Sequence, residues 1–257
     1  MKAFYLAGQN FIALAMIAFG IQHFIYLDFM TRIFAPLPEW IPAHQAFSII
    51  AGIFLCLTGA AIIFKKKAYL LSLSLACTIL LMFIFFQLPN FITHLNNPMI
   101  WTNAGKALVL SGVNLIVAGS IANYTSENYP KYVPNLISLG KVFLAGFFVL
   151  AAILHFLYAD FVAMLIPAWI PWHLFWTYFA AVALIAGAAG MFIPKTKFYS
   201  AALLALMIFL WVILLHAPRA LANLQDANET TAFFEALAMC GAALLIAVQN
   251  HLPLGRY

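Results

Sequence analysis

The chain has 257 residues, of which 66% are hydrophobic and only 7% are charged. A soluble domain carries roughly 25% charged residues, so this chain cannot cover a water-facing surface and needs lipid as its solvent. The net charge of +5 is scattered over short loops without interleaved aromatic residues, which excludes a nucleic-acid-binding protein. The composition therefore predicts an integral membrane protein whose first partner is the lipid bilayer.

Eight apolar runs of about 20 residues follow one another along the chain. Backbone amides in hydrocarbon must pair within their own segment, so each run is predicted to be a transmembrane helix. Lys2 before the first run is typical of a signal peptide, but the run continues to His23, so we expect this helix in the mature protein. The predicted helices cover 4–27, 42–64, 68–88, 104–122, 138–159, 173–193, 198–217 and 232–250.

The basic residues are divided unevenly between the two sides of the membrane. If the N-terminus is cytoplasmic, nine fall inside and three outside. An excess on the cytoplasmic side is the usual topology signal, so both termini are predicted to be inside, in a bacterial inner membrane. The inside residues are Lys2, Lys65, Lys66, Lys67, Lys131, Lys141, Lys195, Lys197 and Arg256, and the outside residues are Arg32, Lys106 and Arg219.

The chain also repeats itself at an offset of 129 residues. Chance matches between apolar sequences involve mostly Leu, Ala and Val, whereas these involve His, Trp and Pro and indicate a duplication. The predicted fold is all-α, with eight transmembrane helices as two parallel four-helix-bundle repeats, 1–125 and 138–257, joined by a cytoplasmic linker, 126–137. The pairs include Pro38 and Pro167, Trp40 and Trp169, His44 and His173, Gly112 and Gly241 and, at an offset of 132, His23 and His155.

Each helix of the second half places one ionisable residue near its predicted outer end, namely His155, His173, His216 and Glu235. Ionisable groups inside membrane segments are costly and are functional candidates by default. Histidine exchanges protons near neutral pH. We therefore predict that the three histidines exchange protons and that Glu235 accepts them, as the catalytic residues of a site inside the bundle.

The first half has His23, His44, Gln87 and Lys106 at the matching positions. An amide and a cation have replaced His216 and Glu235 there, and a lysine can neutralise a carboxylate or bind an anion. We assign these four residues to substrate binding.

Three further residues are candidates for substrate binding. Arg219 follows His216-Ala217-Pro218, and its guanidinium suits carboxylates and other oxyanions. Trp40 and Trp169 lie in the P-E-W-I-P and P-A-W-I-P segments, which predict interfacial turns or lids over the site.

Two other interpretations of the polar residues stay open at this point. Three histidines and a glutamate can bind zinc or iron, so a bound metal ion or haem is one alternative. No two of these residues share a helix at the spacing of metal ligands, and no metal ligand is therefore assigned. Alternatively, the polar side chains lie at the lipid–water boundary and hydrogen-bond to loops or water.

The two halves share a series of short motifs. These are G-I-Q-H-F at 20–24, P-E-W-I-P at 38–42 and L-P-N at 88–90, with L-H-F at 154–156, P-A-W-I-P at 167–171 and A-P-R at 217–219. The series resembles the DoxX family, whose members are typically single four-helix units. The resemblance implies the fold and a link to quinone-dependent oxidoreduction, although the glutamate that many members carry in their second helix is missing from both halves.

The sequence thus favours a membrane protein associated with an oxidoreductase, which binds a quinone or a small redox partner at an outer-leaflet polar site. Because no flavin, nicotinamide or iron–sulfur motif is present, electrons have to come from a soluble or membrane partner subunit. The alternatives are a non-enzymatic scaffold or cargo-binding protein and a small-molecule transporter. Transporter sites lie at the bilayer midplane on broken helices, whereas these polar residues lie near one face.

Overall fold

In the computed structural model of the protein, the described part of the chain is all helical, with no strand. The described residues are 1–30, 32–34, 38, 41–124 and 131–249. Within these ranges, eight helical spans are long and apolar enough to cross a membrane, which confirms the predicted polytopic membrane protein.

The described residues form eleven α-helices and two π-helical turns, and all of these except the short helix α7 belong to the spans. Two of the spans are composite, because a π-helical turn joins a long helix to a short one. The helices are α1 Lys2–Tyr26, α2 His44–Phe64, α3 Ala68–Met82, α4 Leu88–Thr93, α5 Pro98–Tyr124, α6 Val133–Leu157, α7 Ala159–Met164, α8 His173–Gly190, α9 Lys197–Trp211, α10 Ala217–Ala222 and α11 Ala227–Val248, and the π-helical turns are Phe83–Gln87 and Val212–His216.

Helices α5 and α11 form the centre of the molecule. In each of them, 83% of the apolar membrane-spanning stretch is buried inside the protein, compared with 28–50% in the other spans. Helix α5 packs against α3 and α6, helix α11 packs against α1 and α9, and the two central helices contact each other. A helix enclosed by other helices does not need a lipid-facing surface, which is why these two spans tolerate buried polar side chains.

Two pairs of glycines bring neighbouring backbones into close contact. A Cβ at Gly241 of α11 would lie 2.6 Å from the carbonyl oxygen of Gly8 in α1. A Cβ at Gly140 of α6 would lie 2.4 Å from the carbonyl oxygen of Gly112 in α5. Small residues allow membrane helices to approach closely, so van der Waals packing can hold them together in lipid.

The helix ends define two faces of the molecule. We call the side where α1 ends and where α5 and α11 begin the site face. Gln22 near the end of α1 contacts Thr230 at the start of α11 there. On the opposite face, Lys197 at the start of α9 donates to Gln249 just after α11.

The helices predicted to end at residues 88 and 217 instead continue past Pro89 and Pro218. Each lies at the second residue of a short helix, α4 or α10, that directly follows a π-helical turn. Proline has no backbone N–H and its ring clashes with the preceding turn, and a local widening to π geometry relieves both problems. The turns end at Gln87 and His216, so both predicted site residues lie at a local irregularity.

Three predicted helix starts also shift, and the last of them is α11, which begins at Ala227, five residues before the predicted start at residue 232. Helix α6 begins at Val133, so the last residues of the predicted linker, 133–137, belong to the helix. Helix α5 begins at Pro98, six residues before the predicted start at residue 104, so residues 98–103 also belong to the helix.

We predict that Gly241→Ala lowers the free energy of unfolding by about 1–3 kcal/mol, because its Cβ would overlap the carbonyl oxygen of Gly8. The matched control is Gly146→Ala in α6, where a Cβ meets nothing within 4 Å. We expect this control to be neutral or slightly stabilising, since alanine favours helix more than glycine does. Denaturation in detergent measures both variants, and equal losses would contradict the packing described here.

Candidate functional site

An ion-pair cluster of three residues lies at the site face. Lys106 Nζ is 2.8 Å and Arg32 Nη2 is 3.2 Å from the same carboxylate oxygen, Oε2 of Glu235. The side chains are 7% exposed for Glu235, 11% for Lys106 and 24% for Arg32. Two cations from the first half of the chain therefore meet one buried anion from the second half.

The helices fix this geometry. Lys106 lies in the third turn of α5 and Glu235 in the third turn of α11, at the same distance from the helix start. Because α5 and α11 contact each other in the core, the two side chains meet between them. Arg32 lies in the described stretch 32–34, after the end of α1, and its guanidinium donates to Glu235.

A small cavity lies beside the cluster. Its volume is about 10 Å³, roughly the space for one water molecule. Two polar atoms of the cluster, Arg32 Nε and Glu235 Oε1, are buried without a hydrogen-bond partner among the described residues. The rest of the wall is largely apolar: Ile33, Val109, Leu110, Val113, Ala238 and Met239. The site therefore offers one unsatisfied donor and one unsatisfied acceptor in an apolar setting.

A second polar network connects α1 to α11 close to the cluster. The Gln22 amide nitrogen donates to Thr230 Oγ1 at 2.7 Å, and its oxygen accepts from Thr231 Oγ1 at 3.1 Å. Gln22 and Thr231 are both buried. Because buried polar groups are costly when unpaired, this network fixes the end of α1 against the start of α11.

His216 is the predicted catalytic histidine that lies nearest to this charge cluster. It ends the second π-helical turn, and Glu235, Lys106, Arg32 and Arg219 all act on it electrostatically. Its Nδ1 is buried without a partner among the described residues. Arg219 forms an ion pair with Glu229 in the first turn of α11, so its guanidinium is already engaged.

His155 and His23 make the same local contact in the two halves. Nδ1 of each lies 2.7 Å from the carbonyl oxygen four residues earlier, Ala151 for His155 and Phe19 for His23. An accepting carbonyl requires the proton on Nδ1, which leaves Nε2 as an acceptor. The His155 ring stacks on Trp211. The His23 ring is fully buried between Phe29 and Phe34, where Nε2 has no partner among the described residues.

The other predicted residues lie further from the charges. His44 Nε2 lies 3.1 Å from the carbonyl oxygen of Pro38. His173 and Trp172 line a broad, open surface groove formed by residues 168 and 170–175. Trp169 is 69% exposed, as expected for an interfacial tryptophan. Gln87 is buried, and Trp40 lies outside the described residues.

The structure thus gathers only part of the predicted catalytic set. Glu235 and His216 share one electrostatic environment, whereas the described contacts of His155 and His173 lie elsewhere. In the described part of the chain, no three His, Cys, Asp or Glu side chains are placed to hold a metal ion. The catalytic and substrate-binding roles of these residues stay predictions.

Sequence reasoning did not select Arg32, Gln22, Thr230 or Thr231. Arg32 counted only as a topology signal, because nothing in its segment shows that it reaches the last helix. One signal for the Lys106–Glu235 pair was available, because these oppositely charged residues are separated by the predicted repeat offset of 129.

Comparisons with known proteins leave the function open. The sequence model of a family described as a domain of unknown function, DUF8561, matches residues 144–248, which is less than half of the chain. This stretch starts within α6 and ends with α11. No curated protein and no solved structure matches the chain.

We predict that Lys106→Gln lowers the free energy of unfolding by about 3 kcal/mol, because it removes the nearest counter-charge from a buried carboxylate. Arg32→Gln should cost about 1 kcal/mol, since Arg32 is more exposed and Lys106 remains. Denaturation of both variants in the same detergent gives the order. A larger loss for Arg32→Gln would contradict the assignment of Lys106 as the main partner of Glu235.

Proposed function

We propose that the chain is a DoxX-like membrane protein made of two parallel four-helix repeats. The elements support this: α3, its π-helical turn and α4 begin and end 129 residues before α9, the second π-helical turn and α10. The glycine contacts support it as well, because the Gly8–Gly241 contact has its counterpart in Gly140–Gly112. The match to DUF8561, which lies wholly in the second half, is consistent with one repeat as a unit.

In this arrangement, Lys106 and Glu235 lie on the pseudo-twofold axis. They are equivalent positions of the two repeats, and two equivalent positions can touch each other only near the axis that relates them. Two copies of one repeat would bring like charges together there. The duplication allows one copy to carry a cation and the other an anion, so that the pair is attractive.

The function that this site supports best is the binding of a quinone or a similar small redox partner. The observation that carries the proposal is the buried cluster in which Arg32 and Lys106 share one carboxylate beside a largely apolar wall. A quinone carbonyl accepts hydrogen bonds from cationic donors, and a quinone ring packs against apolar side chains.

The residues divide the work as follows. Reduction of a quinone to a quinol takes two electrons and two protons, and the electrons come from a partner subunit. Lys106 and Arg32 orient the carbonyl oxygen and stabilise negative charge on it. His216 exchanges protons beside the cluster, and the Glu235 carboxylate accepts them.

The scaffold alternative is favoured by a different observation. Trp169 and Trp172, which precede α8, are 69% and 77% exposed beside the open groove. The groove and these two side chains form an apolar surface of the kind that binds partner proteins. The transporter alternative has less support, because the glycine contacts join the two halves closely along two interfaces and oppose their rocking.

The test is quinone binding by the purified protein. We expect a water-soluble quinone analogue to quench tryptophan fluorescence saturably, and expect Lys106→Gln to weaken binding about tenfold, through loss of one charge-assisted hydrogen bond. Lys66→Gln, an exposed lysine between α2 and α3 at the opposite face, is the matched control. Absence of saturable binding to the wild-type protein would reject the quinone and leave the scaffold alternative.

We also propose that both termini are cytoplasmic, in a bacterial inner membrane, which places the site face outside. The excess of basic residues on the other face supports this orientation. A reporter enzyme that is active only in the cytoplasm should be active when fused to the C-terminus. Activity of a periplasm-specific reporter at that position would reverse the orientation.

A further inference from the structure

We propose that the Arg32–Lys106–Glu235 cluster binds a singly charged oxygen acid that keeps one O–H group. This inference names the ligand class for the site assigned above and rests on that assignment. It does not require the ligand to be a quinone, and a quinol that has lost one proton is only one member of the class.

The first argument is charge. Arg32 and Lys106 carry two positive charges and Glu235 carries one negative charge, so the cluster keeps an excess of one positive charge among the described residues. A further ion pair, Arg219 with Glu229, is neutral overall and does not compensate it. A buried net charge is costly, and a monoanion is the ligand that brings the cluster to neutrality.

The second argument is hydrogen bonding. Arg32 Nε is a buried donor and Glu235 Oε1 is a buried acceptor, and neither has a partner among the described residues. An anion without hydrogen would satisfy Arg32 but would set a second negative oxygen against Glu235. A ligand with one charged oxygen and one O–H satisfies both atoms, because it accepts from Arg32 and donates to Glu235.

The third argument is access. The cavity of about 10 Å³ is smaller than such a ligand, so one wall has to move. Lys106 and Glu235 lie on the two most buried helices, whereas Arg32 lies outside the helices and is the most exposed member of the cluster. Displacement of the Arg32 side chain opens the site without disturbing the packed helices.

The experiment compares two planar monoanions of similar size. Hydrogencarbonate has one O–H group and nitrate has none. We expect hydrogencarbonate to bind the purified full-length protein at least about tenfold more tightly than nitrate, by isothermal titration or by thermal stabilisation. Equal affinity for the two anions, or binding of neither, would overturn the proposal.

Two variants identify the residues. Glu235→Gln keeps the size of the side chain and leaves both cations in place. It should therefore raise the affinity for nitrate, so that the two anions bind with a ratio of affinities of about 1. Lys66→Gln removes a cation at the opposite face and should leave both affinities unchanged. A preference that survives Glu235→Gln, or that Lys66→Gln also removes, would overturn the proposal.

The result is separable from the quinone test. Selective binding of hydrogencarbonate without quinone binding would keep the anion site and reject the quinone. Quinone binding without any preference between the two anions would reject the present inference alone.

Discussion

A carboxylate buried in a membrane protein must be neutralised where it lies, and the partners of Glu235 come from the other half of the chain. Lys106 of α5 and Arg32 after α1 both contact one of its oxygens. Without them, the charge would cost several kcal/mol or would be lost to protonation. The charges are placed in contact by three features of the fold: the central position of α5 and α11, the burial of their polar side chains and the fixed end of α1.

The proposed duplication explains why the pair can exist. Helices α1 and α11 meet as α6 and α5 do, through glycines that let the backbones touch. Such contacts are stabilised by van der Waals packing. This packing is effective in lipid, where burial of apolar surface contributes little to the association of helices. They bring residue 106 of the first proposed repeat into contact with its equivalent, residue 235 of the second. The packing that holds the helices together therefore also places two equivalent side chains side by side, where opposite charges are favourable.

The sequence is sufficient for the class of fold but not for the details of the site. Hydrocarbon requires long apolar helices, so the eight spans could be predicted, and α2, α3, α8 and α9 begin within two residues of expectation. The π-helical turns could not, because proline at 89 and 218 is equally compatible with a helix end. Arg32 was missed because its contact with Glu235 joins residues 203 positions apart, and the periodicity of a sequence does not predict contacts over that separation.

The most direct test of this account is a charge swap between the two central helices, with stability measured in detergent for Lys106→Glu, Glu235→Lys and the double variant. Each single change sets like charges together in a buried place and should cost at least about 3 kcal/mol. If the two positions are equivalent across the axis, the double variant restores an attractive pair between residues 106 and 235 and recovers the loss except for the contact of Arg32 with position 235, which becomes repulsive. A double variant no more stable than the worse single variant would contradict the account.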